Sequence, residues 1–349
     1  MTNSFLIYGA NGYTGELITR FAAERGMKPI LAGRNKTKIA ELAGKYGFEY
    51  RIFALDDTAK LNAALQEVEM VLHCAGPFSL TSRPMVEACL RNKKHYTDIT
   101  GEIAVFETCA ATDKKAQEAG VMLMPGVGFD VVPSDCLARH LKDRLPSATH
   151  LSLAFYGIGR LSHGTQATMT MNVGKGGAIR KDGMITSVPA AWKTRKIDFG
   201  EVKKTGVTIP WGDVATAYYS TGIPNIEVFT VVPPSNLKML KLSRYLGWLL
   251  ATGPFQRYLQ SKIPAGGPSD EERFNGKTLL WGEASDDDGN LVESRLQGPE
   301  GYTLTALAAL NIAQKILDGN FTAGYQTPAK AYGANLVLEI EGVKRVDVR

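Results

Sequence analysis

Seven residues near the start of the chain, Gly9-Ala10-Asn11-Gly12-Tyr13-Thr14-Gly15, limit its fold more than any other stretch. They follow a short apolar run, Phe5–Gly9. They lead into Thr14–Gly26, where Leu17, Ile18, Phe21 and Ala22 share one helical face and Gly26 is a stop signal. G-x-x-G-x-x-G between a strand and a helix is a much sharper signal than the glycine spacing alone. In such a turn Gly9 allows the sharp bend, Gly12 lets the backbone approach a pyrophosphate, and Gly15 permits close helix–strand packing. The helix start then offers amide N–H groups and a positive dipole end to an anion.

The same rhythm continues to about residue 125. Strands are expected at Pro29–Ala32, Tyr50–Leu55, Met70–Cys74, His95–Ile99 and Val121–Met124. Helices are expected at Thr37–Tyr46, Thr58–Glu67, Arg83–Asn92 and Ala104–Ala119. Six strands with intervening helices predict a doubly wound parallel sheet of the Rossmann type. Beyond residue 127 the pattern changes. After a helix at Pro133–Leu145, longer alternating strands appear at Leu151–Tyr156, Ile226–Val232, Thr278–Ala284 and Leu291–Gln297, the last two flanking the turn sequence Asp286-Asp287-Asp288-Gly289-Asn290. Gly301–Gly319 reads as a helix. The expectation is an α/β protein with a dinucleotide-binding domain over 1–127 and a second α/β domain on a mixed or antiparallel sheet over 128–324, with 325–349 open to packing back on the first.

The second strand decides which dinucleotide fits. An NAD site needs a carboxylate about 20 residues on from the glycine turn to take the ribose 2′-hydroxyl. Arg25 to Ala40 contains none. The strand ends instead in Ala32-Gly33-Arg34-Asn35-Lys36, with Lys38 close behind. Arg34 suits a 2′-phosphate by a charge-assisted pair and the adenine face by stacking, so NADP(H) is the expected cofactor. Asp56 is placed to accept from the adenine amine or to cap the helix that follows. Ala75, Gly76, Pro77 and Phe78 end the fourth strand, where backbone faces the nicotinamide ribose, and Thr100 and Gly101 end the fifth. The candidate cofactor residues are therefore Gly9, Asn11, Gly12, Tyr13, Thr14, Gly15, Gly33, Arg34, Asn35, Lys38, Asp56, Ala75, Gly76, Pro77, Thr100 and Gly101.

The chain resembles the saccharopine dehydrogenase-like reductases, in particular the branch that holds trans-acting enoyl reductases. Beyond Gly9–Gly15, Ala32-Gly33-Arg34 and Ala75–Phe78, the resemblance rests on Tyr96-Thr97-Asp98-Ile99-Thr100-Gly101-Glu102 and Gly128-Phe129-Asp130-Val131-Val132-Pro133-Ser134-Asp135. Gly164-Thr165, Gly267–Arg273 and Thr327-Pro328-Ala329 extend it along the chain. It implies an NADP-type Rossmann domain, a second α/β domain and a reductase activity. The enoyl reductase branch implies reduction of a C=C bond in a lipid or polyketide-like substrate.

A reductase also handles a proton for the far end of the reduced bond. The candidates beyond the strand ends are Glu102, Asp98 and Asp130, with Glu102 the first choice. Ser134 and Asp135 read as helix-start residues. His163 reads as a surface histidine. Tyr258 and Lys262 share the Tyr-x-x-x-Lys spacing of short-chain dehydrogenases but lie far from the fifth strand, so that rival reading rests on a chance match. A dinucleotide-sensing protein without turnover is the other rival. Residues 236–263 form a basic amphipathic stretch, read as a helix on the second domain, with a membrane-surface contact as the alternative.

The formal charge of +5 lacks the dense basic stripe of a nucleic-acid binder. The four cysteines are 15, 20 and 27 residues apart in a pattern without zinc-ligand spacing. Reduced thiols and the absence of a basic leader sequence point to a cytoplasmic protein acting on a small molecule. The sequence admits a homodimer, with the substrate expected in a cleft between the domains.

Overall fold

The computed structural model describes residues 4–157, 159–172, 174, 176–233, 237, 240 and 252–349. They form two units: Met1–Val132 with Tyr302–Ala331, and Pro133–Gly301 with Tyr332–Arg349.

The first unit is built on β1 (Phe5–Tyr8), α1 (Tyr13–Glu24), β2 (Ile30–Gly33), α2 (Lys36–Tyr46), β3 (Tyr50–Ile52), α3 (Thr58–Gln66), β4 (Met70–His73), α4 (Phe78–Asn92), β5 (His95–Asp98), α5 (Ile103–Ala111), α6 (Asp113–Ala119) and β6 (Met122–Met124). Its seven strands, all parallel, run in the order β15-β6-β5-β4-β1-β2-β3, where β15 is Gly324–Tyr325. The order reverses between β1 and β4, which makes their C-terminal ends the crevice where open α/β sheets bind ligands. Strands β1, β2 and β4 are buried at every position, as expected for a parallel sheet covered on both faces.

The second unit carries a mixed nine-stranded sheet. It includes β7 (His150–Tyr156), β12 (Asn225–Val231), β13 (Lys277–Ser285) and β14 (Leu291–Pro299). β7 and β12 are parallel, whereas β7 with β13 and β13 with β14 are antiparallel. The β13–β14 turn is the hairpin expected at 286–290: Gly289 has φ +85° and the Asp286 carboxylate accepts from Asn290 and Asp288 N–H groups. Ala154, Ile197, Phe199, Phe229, Leu279 and Trp281 form a core on this sheet.

Several elements differ from the sequence expectation. α4 begins at Phe78, not Arg83, and holds Pro84 inside it. The expected helix Ala104–Ala119 is two helices meeting at Thr112, whose hydroxyl turns back to the Thr108 and Cys109 carbonyls. The helix Gly301–Leu317, expected in the second domain, belongs with the first unit from Tyr302 onward. Leu304, Ala308, Leu310 and Ile312 are buried on it, and the Thr305 hydroxyl accepts from Phe129 N–H at 2.9 Å. Residues 332–349 go to the second unit, where Lys344–Asp347 pairs with β14. The strands between Gly177 and Thr208 and the helix Asp213–Thr221 carry too little apolar alternation to be read beforehand. Half of 236–263, including 241–251, lies outside the described residues, and Gly253–Ser261 within it is a helix.

Candidate functional site

The glycine turn after β1 has the geometry its spacing predicts. Gly9 has φ +84°, and a Cβ there would lie 2.8 Å from Ala75 Cβ at the end of β4. Its N–H donates to Ala32 O at 2.8 Å, and Gly12 N–H returns to Gly9 O at 3.0 Å. A Cβ on Gly15 would collide with Gly9 O and lie 2.9 Å from Ala10 Cα. On Gly12 the nearest atom would be Gly9 O at 3.3 Å, with nothing else within 4 Å. The outer side of the turn is therefore open. Gly12 is also the N-cap of α1 and brings no side chain to it. An exposed helix start with an uncovered backbone is what a pyrophosphate requires. Tyr13 and Thr14 sit half-buried beside it, and the Tyr13 ring meets Tyr302 edge-on at 5.1 Å.

At the end of β2 the structure refines the expectation. The space over Gly33 is filled from within the protein: a Cβ there would lie 3.1 Å from Asn11 Oδ1 and 3.1 Å from Ile39 Cδ1. Gly33 thus makes room for Asn11 and α2 rather than directly for a ligand. Asn35 is the N-cap of α2 and accepts from Lys38 N–H at 3.1 Å. Arg34 and the Lys38 side chain remain exposed. Burial raises the Tyr8 phenol above its ordinary range, nearby Arg34 opposes that shift and Asp56 adds to it. Arg34 and Asp56 thus both act on the same end of the crevice. The cap on α3 is Asp57, which accepts from Lys60 N–H, so Asp56 is left to the surface.

The ends of β4, β5 and β6 hold the three candidate acids, and the structure gives each a different setting. Both Glu102 oxygens are engaged at the start of α4, accepting from Phe78 N–H at 2.7 Å and Ser79 N–H at 3.1 Å. The first-choice proton donor is thus a helix cap. Asp98 is fully buried and ties two strand ends together: Oδ1 accepts from Thr100 and Gly126 N–H, each at 2.9 Å, and Oδ2 from the Tyr96 hydroxyl at 2.6 Å. Burial raises its pKa to about 6 against the pull of those hydrogen bonds. Thr100 is also fully buried, and its hydroxyl accepts from Glu102 N–H at 3.1 Å, a contact that shapes the turn.

Asp130 differs from both. Its Oδ1 is buried without a hydrogen-bond partner among the described residues. Its Oδ2 lies over Gly101, where a Cβ would come within 2.7 Å of it. Burial pushes its pKa up to about 7. His73, at the end of β4, is buried among Tyr8, Phe78 and Tyr96, and burial lowers its pKa to about 3. Sequence reasoning did not single it out, because a histidine ending an apolar strand carries no local signal.

Other sequence candidates fall elsewhere. His163 opens a helix of the second unit and is exposed. Tyr258 and Lys262 also lie in the second unit, with Tyr258 57% exposed. The Tyr-x-x-x-Lys match is therefore outside the dinucleotide sheet. Within the second unit the Ser134 hydroxyl donates to Asp213 Oδ2 at 2.9 Å and Asp135 Oδ1 accepts from the Ser220 hydroxyl at 2.5 Å.

A parallel sheet of this strand order, with an open glycine turn at its switch point, is the architecture of a dinucleotide-binding domain. Residues 5–124 match the family model described as the saccharopine dehydrogenase NADP binding domain, and the resemblance read from the motifs is borne out. The matched family binds NADP, as the basic residue Arg34 led us to expect. A mouse protein named saccharopine dehydrogenase-like oxidoreductase is 27% identical over 216 residues, covering 56% of this chain and 46% of that one. A lipid droplet localized protein of Caenorhabditis elegans is 25% identical over 242 residues, covering 59% and 55%. A trans-acting enoyl reductase of Mycobacterium ulcerans is 28% identical over 147 residues, covering 40% and 35%. The chain spans about half the length or less of these relatives. Apo saccharopine dehydrogenase (L-Glu forming) from Saccharomyces cerevisiae superposes with a TM-score of 0.68 over 99% of this chain and 100% of that one, at 11% identity, which shows a shared fold. The expected cytoplasmic location is overturned by the relative localized to lipid droplets. Among the described residues no helix is long and apolar enough to cross a membrane.

Proposed function

We propose that the chain is an NADPH-dependent reductase whose cofactor lies along the ends of β1, β2 and β4. The observation that carries this reading is the open turn at Gly12, set at the sheet's switch point with exposed Arg34 beside it. Tyr13, Thr14 and Gly15 at the start of α1 receive the pyrophosphate, and Arg34, with Lys38 behind it, takes the 2′-phosphate. Asp56 stands on the adenine side. Ala75, Gly76 and Pro77 form the floor under the nicotinamide ribose. NADPH, when bound, supplies a hydride to an electrophilic carbon. The chain's own part is to hold the acceptor near the ends of β4, β5 and β6 and to manage the proton that accompanies reduction.

The finer reading is an unsaturated, lipid-like substrate. It is supported by the names of two relatives, one an enoyl reductase and one localized to lipid droplets. Calorimetric titration of NADPH and NADH into the protein, repeated with Arg34→Ala, tests the cofactor assignment. Wild type should prefer NADPH, and Arg34→Ala should weaken NADPH by about 10- to 100-fold, the worth of one charge-assisted phosphate contact, while leaving NADH nearly unchanged. Binding of neither nucleotide would end the reductase reading. Binding of both without turnover of any unsaturated or carbonyl compound would favour a dinucleotide sensor.

A further inference from the structure

Every buried carboxylate oxygen at the end of the parallel sheet has a hydrogen-bond donor beside it, except at Asp130. Asp98 receives three donors and Glu102 receives two. Asp130 Oδ1 is buried with none among the described residues. A buried, unpartnered carboxylate oxygen is expensive in a folded protein, so a group that keeps one is holding it for something else. The surroundings fix what that is. Asp130 lies in the turn that follows β6, held by Gly128 N–H to Asp130 O at 3.3 Å and Val131 N–H to Gly126 O at 3.0 Å. The neighbouring Phe129 N–H is anchored on Thr305. The carboxyl rests on Gly101 at the end of β5, a position where any side chain would displace it. The turn is therefore tied to the sheet and to the helix Gly301–Leu317, and it presents the carboxyl at the strand ends where a doubly wound sheet places its reacting groups.

We infer that Asp130 is the acid of this site, donating its proton to the oxygen of an uncharged carbonyl group, in a ketone or an enone. This rests on the reductase reading above. The carboxyl loses its proton to the substrate oxygen as the O–H bond of the acid breaks and the new O–H bond forms. The hydride's electron pair forms the new C–H bond at the carbonyl carbon or the β-carbon of an enone. The C=O π bond opens and its pair takes the Asp130 proton to give an alcohol or an enol, and the Asp130 carboxylate regains a proton from solvent. Burial is the cause that raises the Asp130 pKa to about 7, so the acid form is well populated at neutral pH. A neutral carboxyl offers one O–H donor, which matches a carbonyl oxygen and not an iminium, which has no lone pair to accept it.

The test needs no known substrate. Carbon-13 NMR of the side-chain carboxyls of the full chain should show one aspartate titrating near pH 7, absent in Asp130→Asn. With NADP+ present, 2-nonanone and trans-3-nonen-2-one labelled at the carbonyl carbon should give a bound signal shifted downfield. That shift should disappear in Asp130→Asn, and also in Gly101→Ala, which keeps the carboxyl but pushes it away. NADPH affinity should stay within about threefold of wild type in Asp130→Asn, since a proton donor contributes little to cofactor binding. An Asp130 carboxyl titrating near 4, no shifted carbonyl signal, or the same shift in both variants would overturn the inference while leaving NADPH binding intact. Loss of NADPH binding by the wild type would sink the reductase reading itself.

Discussion

Gly9 shows how much one residue can be asked to do. It combines a positive φ of +84° with a backbone approach so close that a Cβ would sit 2.8 Å from Ala75 N and Ala75 Cβ. An L-residue in that conformation costs about 1–2 kcal/mol before any clash is counted. Gly9→Ala should therefore lower unfolding stability by at least about 2 kcal/mol, because the collision is with the β4 end and not with a flexible side chain. It should also weaken NADPH binding, since the turn and the end of β4, the floor proposed for the nicotinamide ribose, would move together. Denaturant unfolding alongside calorimetry checks both, and a variant as stable as wild type would contradict the observed turn. This site was legible because its chemistry is local: strand, glycines and helix start occupy seven consecutive residues. The basic residue Arg34 was legible for the same reason. Gly33 was placed among the cofactor residues from its position alone; that its missing side chain also makes room for Asn11 and Ile39 requires knowing what crosses over it.

At the scale of elements, α4 and Glu102 explain each other. The helix was expected to begin at Arg83, and Pro84 lies inside the observed helix. The true start, Phe78, has a carboxylate from the end of β5 across its first two amides. The cap comes from 24 residues downstream, so no local pattern could announce it. The same fact gives Glu102 a capping role, although its place just past a strand end had made it the first choice for the proton donor. Glu102→Gln retains one acceptor oxygen and loses the charge that favours a helix N-terminus. It should cost about 1–2 kcal/mol of stability and leave NADPH affinity within about threefold. If instead Glu102→Gln left stability untouched and abolished turnover, the capping role would be secondary and the original assignment would return. The helix Gly301–Leu317 makes a similar point. Its apolar composition was evident, but its partner, the turn carrying Phe129 and Asp130, lies more than 170 residues earlier.

Within the first unit as a whole, four groups, Asp98 and His73 fully buried and Asp130 and His95 half-buried, set opposing pH dependences. Asp98 and Asp130 have folded pKa values raised to about 6 and about 7. Their contributions are fully present below the unfolded value near 4 and are lost as pH rises through those folded values. His73 and His95 are lowered to about 3 and about 4 by burial, and His95 Nδ1 also accepts from Met122 N–H at 3.0 Å. Their contributions are present above the unfolded value near 6.5 and are lost as pH falls through the folded values. Between about pH 4.5 and 6 the folded unit holds two protons on aspartates, and the unfolded chain holds two on histidines. The slopes cancel, so the stability of the wild-type unit should be nearly flat in that window. The paired carboxylates Asp57 and Glu67 are lowered, so their effects fall below it. Asp130→Asn removes one folded-state proton and breaks the balance. Stability should then rise with pH by about 1.4 kcal/mol per unit across the window. Thermal unfolding of wild type and Asp130→Asn at half-unit steps from pH 4.5 to 6 measures the difference. Parallel profiles for the two proteins would mean that Asp130 is ionised in the folded state throughout, and the neutral acid required for proton donation would not exist.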